Sequence, residues 1–105
     1  MLTIQQERDE KKLTVTLIGR LDSNAAPQLE AALRKAYKQL DELIFDCREL
    51  TYISSGGLRV LLSARKQMDR KGQMRLINVT DAVRRAIEIK GLDDVFRIPG
   101  QSEEA

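Results

Sequence analysis

Apolar residues recur along this 105-residue chain in two periods that take turns. Leu2, Ile4 and Gln6 open a two-residue alternation, and Leu13, Val15 and Leu17 repeat it between Thr14 and Thr16. The polar quartet Asp9-Glu10-Lys11-Lys12 separates the two stretches, so they are predicted to form an antiparallel hairpin. From Gly19-Arg20-Leu21-Asp22 onward the period changes to steps of three and four, and then alternates with short apolar runs. Strands that alternate with helices are joined by right-handed crossovers, which makes successive strands parallel and lays the helices against the sheet. The expected fold is therefore α/β: a mixed four- to five-stranded sheet with helices packed mainly on one face, in a single domain over residues 1–105.

The individual elements follow from local chemistry. Asn24 is expected to cap a first helix, with Pro27 tolerated in its first turn. Leu29, Ala32, Leu33, Ala36 and Leu40 mark its apolar face. Leu43-Ile44-Phe45 reads as a strand covered on part of both faces, and Tyr52-Ile53 extends toward the next turn. A second helix is predicted from about Gly57 to Arg70. Leu58, Leu61, Leu62 and Met68 should face inward, with Arg59, Ser63, Lys66 and Arg70 on the other side and Lys71-Gly72 as the stop. Met74, Leu76 and Val79 suggest another strand. Thr80 should cap a third helix carrying Val83, Ala86 and Ile87, with Gly91 as its left-handed end. Val95, Phe96 and Ile98 suggest a last strand before Pro99-Gly100, and the tail Gln101-Ser102-Glu103-Glu104-Ala105 reads equally as helix or frayed end.

Composition excludes several functions. There is no histidine, which removes the commonest general base and metal ligand and every histidine-containing triad. No phosphate-binding G-x-x-x-x-G-K-[ST] loop is present, so a nucleotide is not expected to bind; no other cofactor and no metal is expected either. The single cysteine, Cys47, ends an apolar run and reads as a small buried hydrophobe. Net charge is +2 from 18 basic and 16 acidic side chains, with no arginine-rich or aromatic-interleaved stripe, so nucleic acid is not an expected partner. No apolar run reaches the roughly 20 residues that span a bilayer. Nor does Met1-Leu2-Thr3-Ile4-Gln5-Gln6 resemble a signal peptide; the expectation is a cytoplasmic protein without membrane insertion.

What remains is the turn Tyr52-Ile53-Ser54-Ser55-Gly56-Gly57-Leu58-Arg59-Val60-Leu61-Leu62. Two hydroxyls and two glycines lie between a strand and a helix. Unpaired N–H groups and the helix dipole there can receive negative charge. Ser55 lies nearer the helix start, whereas Ser54, after Ile53, is expected to be half-buried or engaged in the turn. Either serine reads physically as a cap or as a place where added phosphate could be held. Gly56 and Gly57 suit a tight turn and a partner's close approach. A serine hydrolase is a poor fit, because a lysine would have to act as base. Lys66 lies about 15 Å from Ser55 by helix rise.

The order of elements and two motifs resemble the STAS family, which includes bacterial anti-sigma factor antagonists and the cytoplasmic domains of sulfate transporters. Gly19-Arg20-Leu21-Asp22 with Ala26-Pro27-Gln28-Leu29 resembles the family's G-x-[LI]-D strand end and the following helix. The serine turn resembles its I-D-S-[SA]-G-L-x-x-L turn, and the two motifs lie about thirty residues apart. Gly57 and Leu58 match the family's Gly-Leu pair. The resemblance thus implies that Ser55 is the phosphorylated serine and that Gly56 stands where the family has Ser or Ala. Ser54 stands where phosphorylated antagonists carry Asp. It further implies a partner-binding surface of Asp22, Ser54, Ser55, Gly56, Gly57, Leu58 and Arg59. The implied function is a non-enzymatic antagonist that binds an anti-sigma serine kinase and releases a sigma factor, with a serine phosphatase acting on the phosphorylated form. The alternative is a STAS module that binds partners without phosphorylation, in a signalling assembly or a transport complex.

Overall fold

The computed structural model describes residues 1–38, 40–69 and 72–96. The described residues form nine elements: β1 (Leu2–Asp9), β2 (Lys12–Leu21), α1 (Ala26–Ala36), β3 (Glu42–Asp46), β4 (Leu50–Ile53), α2 (Ser55–Asp69), β5 (Gln73–Ile77), α3 (Asp81–Ile89) and α4 (Asp93–Phe96). β1 and β2 form the antiparallel hairpin, in register from Leu2 opposite Gly19 to Asp9 opposite Lys12. The remaining pairings are parallel, as the crossover argument requires. The five-stranded sheet runs β1-β2-β3-β5.

β2 serves two partners along one edge. Its first half pairs with β3, from Lys12–Glu42 to Thr16–Asp46. Its end pairs with β4, from Gly19–Leu50 to Leu21–Ile53, with a register shift between Gly19 and Arg20. Gly19 carries the shift with φ of 106°, a backbone state open to glycine and strained for other residues. This switch of partner lets β4 run out beside Leu21 and aim its end at the start of α2.

One face of the sheet carries the core. Leu13, Leu43 and Met74 form one cross-strand row, and Val15, Phe45 and Leu76 the next; all are buried. Leu29 and Leu33 of α1, Leu61, Ala64 and Met68 of α2, and Val83 and Ile87 of α3 join them in one cluster. On the opposite face the same registers line up Thr14, Ile44 and Arg75, and Arg75 bonds Glu42 at 3.0 Å. Ile44 is buried there without belonging to the core cluster.

Several local expectations hold. Thr80 Oγ1 accepts the N–H of Val83 at 3.4 Å and donates to the Leu50 carbonyl at 3.0 Å, tying the start of α3 to β4. Gly91 has φ of 69°, and the N–H groups of Gly91 and Leu92 close on Glu88 and Ile87, the paired bonds of a Schellman end.

Others are corrected. Asn24 does not cap α1: the N-cap position is Ala25, without a side-chain cap bond, and Asp22 Oδ1 accepts the Ala25 N–H at 2.9 Å in the turn before the helix. α1 stops at Ala36, four residues before Leu40, which is buried from the connection that follows. α2 starts at Ser55, two residues earlier than predicted, because Ser54 already caps it. Val95 and Phe96 are not a strand but part of α4: Asp93 and Asp94 favour a helical first turn, and the Phe96 N–H bonds the Leu92 carbonyl at 3.1 Å. Phe96 enters the core while Val95 stays 36% exposed. Ile98, Pro99-Gly100 and the tail lie outside the described residues, as do Arg70 and Lys71. Among the described residues no helix is long and apolar enough to cross a membrane.

Candidate functional site

The two motifs meet in space. Parallel pairing of β2 with β4 places Leu21 opposite Ile53, and the Ser54 N–H continues the ladder to the Leu21 carbonyl at 2.9 Å. Ser54 is the pivot of the turn. Its Oγ accepts the Gly57 N–H at 3.1 Å, and its carbonyl accepts the Leu58 N–H at 2.9 Å as the first intrahelical bond. That is the geometry of an N-cap, and it satisfies a backbone donor that the helix itself leaves unpaired.

Ser55 is the first residue of α2 and is exposed. The first turn of α2 carries no acidic side chain, so its positive end is not offset by a carboxylate there. The two serines thus have different surroundings: one hydroxyl is half-buried and holds the turn, while the other faces solvent.

The glycines differ as well. A Cβ on Gly57 would lie 2.7 Å from both Cγ and the carbonyl oxygen of Leu21, and 3.0 Å from Cγ1 of Ile53. Helix and strand end approach so closely here that only glycine fits. A Cβ on Gly56 would make ordinary contacts, 3.5 Å to Ser23 Oγ and 3.7 Å to Ser54 Oγ. The Asp22-Ser23 turn therefore lies against the serine turn.

Of the residues expected at the surface, Ser55 and Arg59 are exposed, and Asp22, Ser54 and Gly56 are half-buried. Ser55 and Arg59 are four residues apart on one helix and so are neighbours on its surface. Gly57 and Leu58 are buried, Leu58 with 4% exposure; their part is to seat the turn. The Asp22 carboxylate is already engaged by the Ala25 N–H.

Two neighbours escaped the sequence reading. Arg20 and Tyr52 stand in register across β2 and β4, with the guanidinium carbon 4.2 Å from the centre of the ring. A basic residue and an aromatic 32 positions apart give no local signal. Only the shifted β2–β4 register brings them together.

Elsewhere the chemistry is sparse. Burial, and then the Asp46 carboxylate, push the Cys47 thiol up to about 12, which leaves it protonated and unreactive at neutral pH. An open groove lined by Gln6, Arg8, Leu13, Ala31, Ala32, Lys35 and Ala36 includes none of the turn residues.

Comparison with known proteins adds the following. The STAS domain family model matches residues 3–105. The anti-sigma-B factor antagonist of Listeria monocytogenes is 30% identical over 89% of this chain and 83% of its own length. Among solved structures, the anti-sigma factor antagonist SpoIIAA in its unphosphorylated form superposes with a TM-score of 0.78 at 23% identity, over 93% of this chain and 100% of that one. The Bacillus cell fate determinant SpoIIAA in the phosphorylated form gives 0.73 at 22% identity, over 97% and 96%.

Proposed function

The chain belongs to the STAS domain family, and we propose that it acts there as an anti-sigma factor antagonist switched at Ser55. In this reading the unphosphorylated protein binds an anti-sigma serine kinase through the serine turn, and a sigma factor is released. The kinase transfers phosphate from ATP to Ser55 Oγ, and a serine phosphatase removes it. The nucleotide belongs to the partner, and the chain itself catalyses nothing.

The observation that carries the reading is the division of labour at the turn. Ser54 Oγ is half-buried and accepts the Gly57 N–H, whereas Ser55 is exposed at the helix start. Phosphate on Ser55 therefore leaves the cap intact, and the dianion lies where free N–H groups and the dipole favour it. Charge and bulk then change at the docking surface without rearrangement of the fold. A penalty of about 2–3 kcal/mol in desolvation and repulsion would weaken binding roughly 30- to 150-fold. The name of the Listeria relative supports the antagonist reading, and a protein of the same fold has been solved in phosphorylated and unphosphorylated forms.

The test is incubation with the cognate kinase and ATP, followed by mass spectrometry of the peptide from Glu49 to Arg59. Phosphate on Ser55 is expected. Ser55→Ala should bind and resist modification, and Ser55→Asp should fold but bind weakly. Phosphate on Ser54, or none with an active kinase, refutes the switch. The second outcome favours the other reading, a STAS module that binds partners without phosphorylation, for which the uncharged Ser54 in place of the family's Asp is the supporting feature.

A further inference from the structure

We propose that Arg20 and Tyr52 extend the docking surface and receive a carboxylate of the anti-sigma partner, which makes Arg20 a residue that selects among partners. The inference rests on the antagonist reading and adds to it the chemistry the partner must present. Leu21 and Ile53 are buried, so the alternation along paired strands turns Arg20 and Tyr52 to the opposite face. There Arg20 is exposed and Tyr52 is 40% exposed. The guanidinium lies over the ring at 4.2 Å. Stacking fixes a side chain that otherwise has many rotamers and covers one face of its plane. Its N–H edge stays available for the two oxygens of a carboxylate.

Among the described residues no carboxylate pairs with Arg20. Arginine and tyrosine are also the residue types that dominate binding energy at protein interfaces. Position completes the argument. At about 3.3 Å per residue of strand, Tyr52 lies roughly 10 Å before Ser55. A standard interface covers about 800 Å² on each partner, some 30 Å across, so a protein centred on Ser55 also covers this pair. With Arg59 on the far side of Ser55, no acidic residue in the first turn of α2, and the half-buried Asp22 carboxylate already engaged by the Ala25 N–H, the surface suits an acidic counterpart.

The experiment measures affinity for the cognate anti-sigma kinase by titration calorimetry, with the full chain and its Arg20→Glu, Arg20→Lys, Tyr52→Ala and Ser55→Asp variants. Thermal unfolding confirms that each is folded. Arg20→Glu and Tyr52→Ala should each weaken binding about tenfold or more, and Arg20→Lys, which keeps the charge and loses the planar fork, by less. Replacing one surface Asp or Glu of the kinase by Arg should restore binding to Arg20→Glu. Wild-type-like affinity of both Arg20→Glu and Tyr52→Ala overturns the inference, and so does failure of every charge reversal to rescue; a weakened Ser55→Asp then still supports the switch. If the wild-type chain does not bind the kinase at all, the antagonist reading and this inference fall together.

Discussion

The adjacent glycines Gly56 and Gly57 should respond to the same substitution with opposite signs. Alanine is better than glycine in a helix by about 1 kcal/mol. At Gly56 nothing opposes that gain, since the new methyl meets Ser23 Oγ at 3.5 Å and Ser54 Oγ at 3.7 Å. Gly56→Ala should therefore stabilise by about 0.5–1 kcal/mol. At Gly57 the methyl meets Leu21 Cγ and the Leu21 carbonyl oxygen at 2.7 Å, about 1 Å inside ordinary contact. That carbonyl also holds the Ser54 N–H at 2.9 Å, so relief of the overlap stretches the bond that positions the cap. Overpacking of this kind costs about 1–3 kcal/mol against a helix gain of about 1 kcal/mol, so Gly57→Ala should destabilise by up to about 2 kcal/mol net. The helix gain is common to both, so the two variants should differ by the overpacking cost of roughly 1–3 kcal/mol, or on the order of 10 °C in Tm for a domain of this size. Urea and thermal unfolding followed by circular dichroism measure both. If Gly57→Ala is as stable as Gly56→Ala, the close approach of α2 to the end of β2 is not what holds the turn.

Leu61→Ala and Leu33→Ala should each cost roughly 2–4 kcal/mol, because both side chains lie in the core with 0% and 2% exposure. Arg59→Ala and Lys66→Ala, on exposed positions of α2, should change stability by less than about 0.5 kcal/mol in the same denaturant assay; the reverse order would refute the helical phase. The Cys47 thiol, raised from 9.0 to about 12, should resist a thiol reagent in the native protein at pH 8 and react on unfolding. The unfolded thiol ionises first, so its contribution to stability is whole below pH 9 and is lost as pH rises toward 12. Urea titrations from pH 8 upward should show that decline, and Cys47→Ala should flatten it.

Elements with a strong period were legible in the sequence. The hairpin has it in the Leu13, Val15 and Leu17 alternation, and α1 and α2 have it in their aliphatic stripes. The caps at Thr80 and Gly91 were legible because their chemistry is local. β4 was not legible as a separate strand: its four residues are buried only at Leu50 and Ile53, a spacing of three that fits a helical step and not the alternation of a strand. The end of α1 was misread because Leu40 continues its stripe by spacing alone, although the chain has already left the helix at Tyr37. α4 was misread for a similar reason, since Val95 and Phe96 suit a strand by composition and only the core contact of Phe96 decides between the two. At the site, both serines were placed at the helix start from sequence, but the cap could be assigned only from the Ser54–Gly57 hydrogen bond. The Arg20–Tyr52 pair needed the shifted register of β2 and β4.

That hydrogen bond also explains how the chain tolerates its departure from the family pattern at Ser54. Asp and Ser are both good N-caps, because either oxygen reaches the N–H two or three residues on. The half-buried Ser54 Oγ makes this contact at 3.1 Å, so the structural part of an aspartate at this position survives the substitution. Its charge does not. In the proposed switch this changes the balance at the neighbouring residue. A carboxylate beside Ser55 would repel an added phosphate, and two like charges a few ångströms apart near a protein surface cost about 1–4 kcal/mol before screening. With neutral Ser54 and no acidic side chain in the first turn of α2, the dianion meets the helix N–H groups and its i+4 neighbour Arg59, and the Asp22 carboxylate of the adjoining turn is already engaged by the Ala25 N–H. The substitution therefore removes a charge that could help to orient Ser55 toward a kinase, and at the same time makes the phosphorylated state easier to hold once formed.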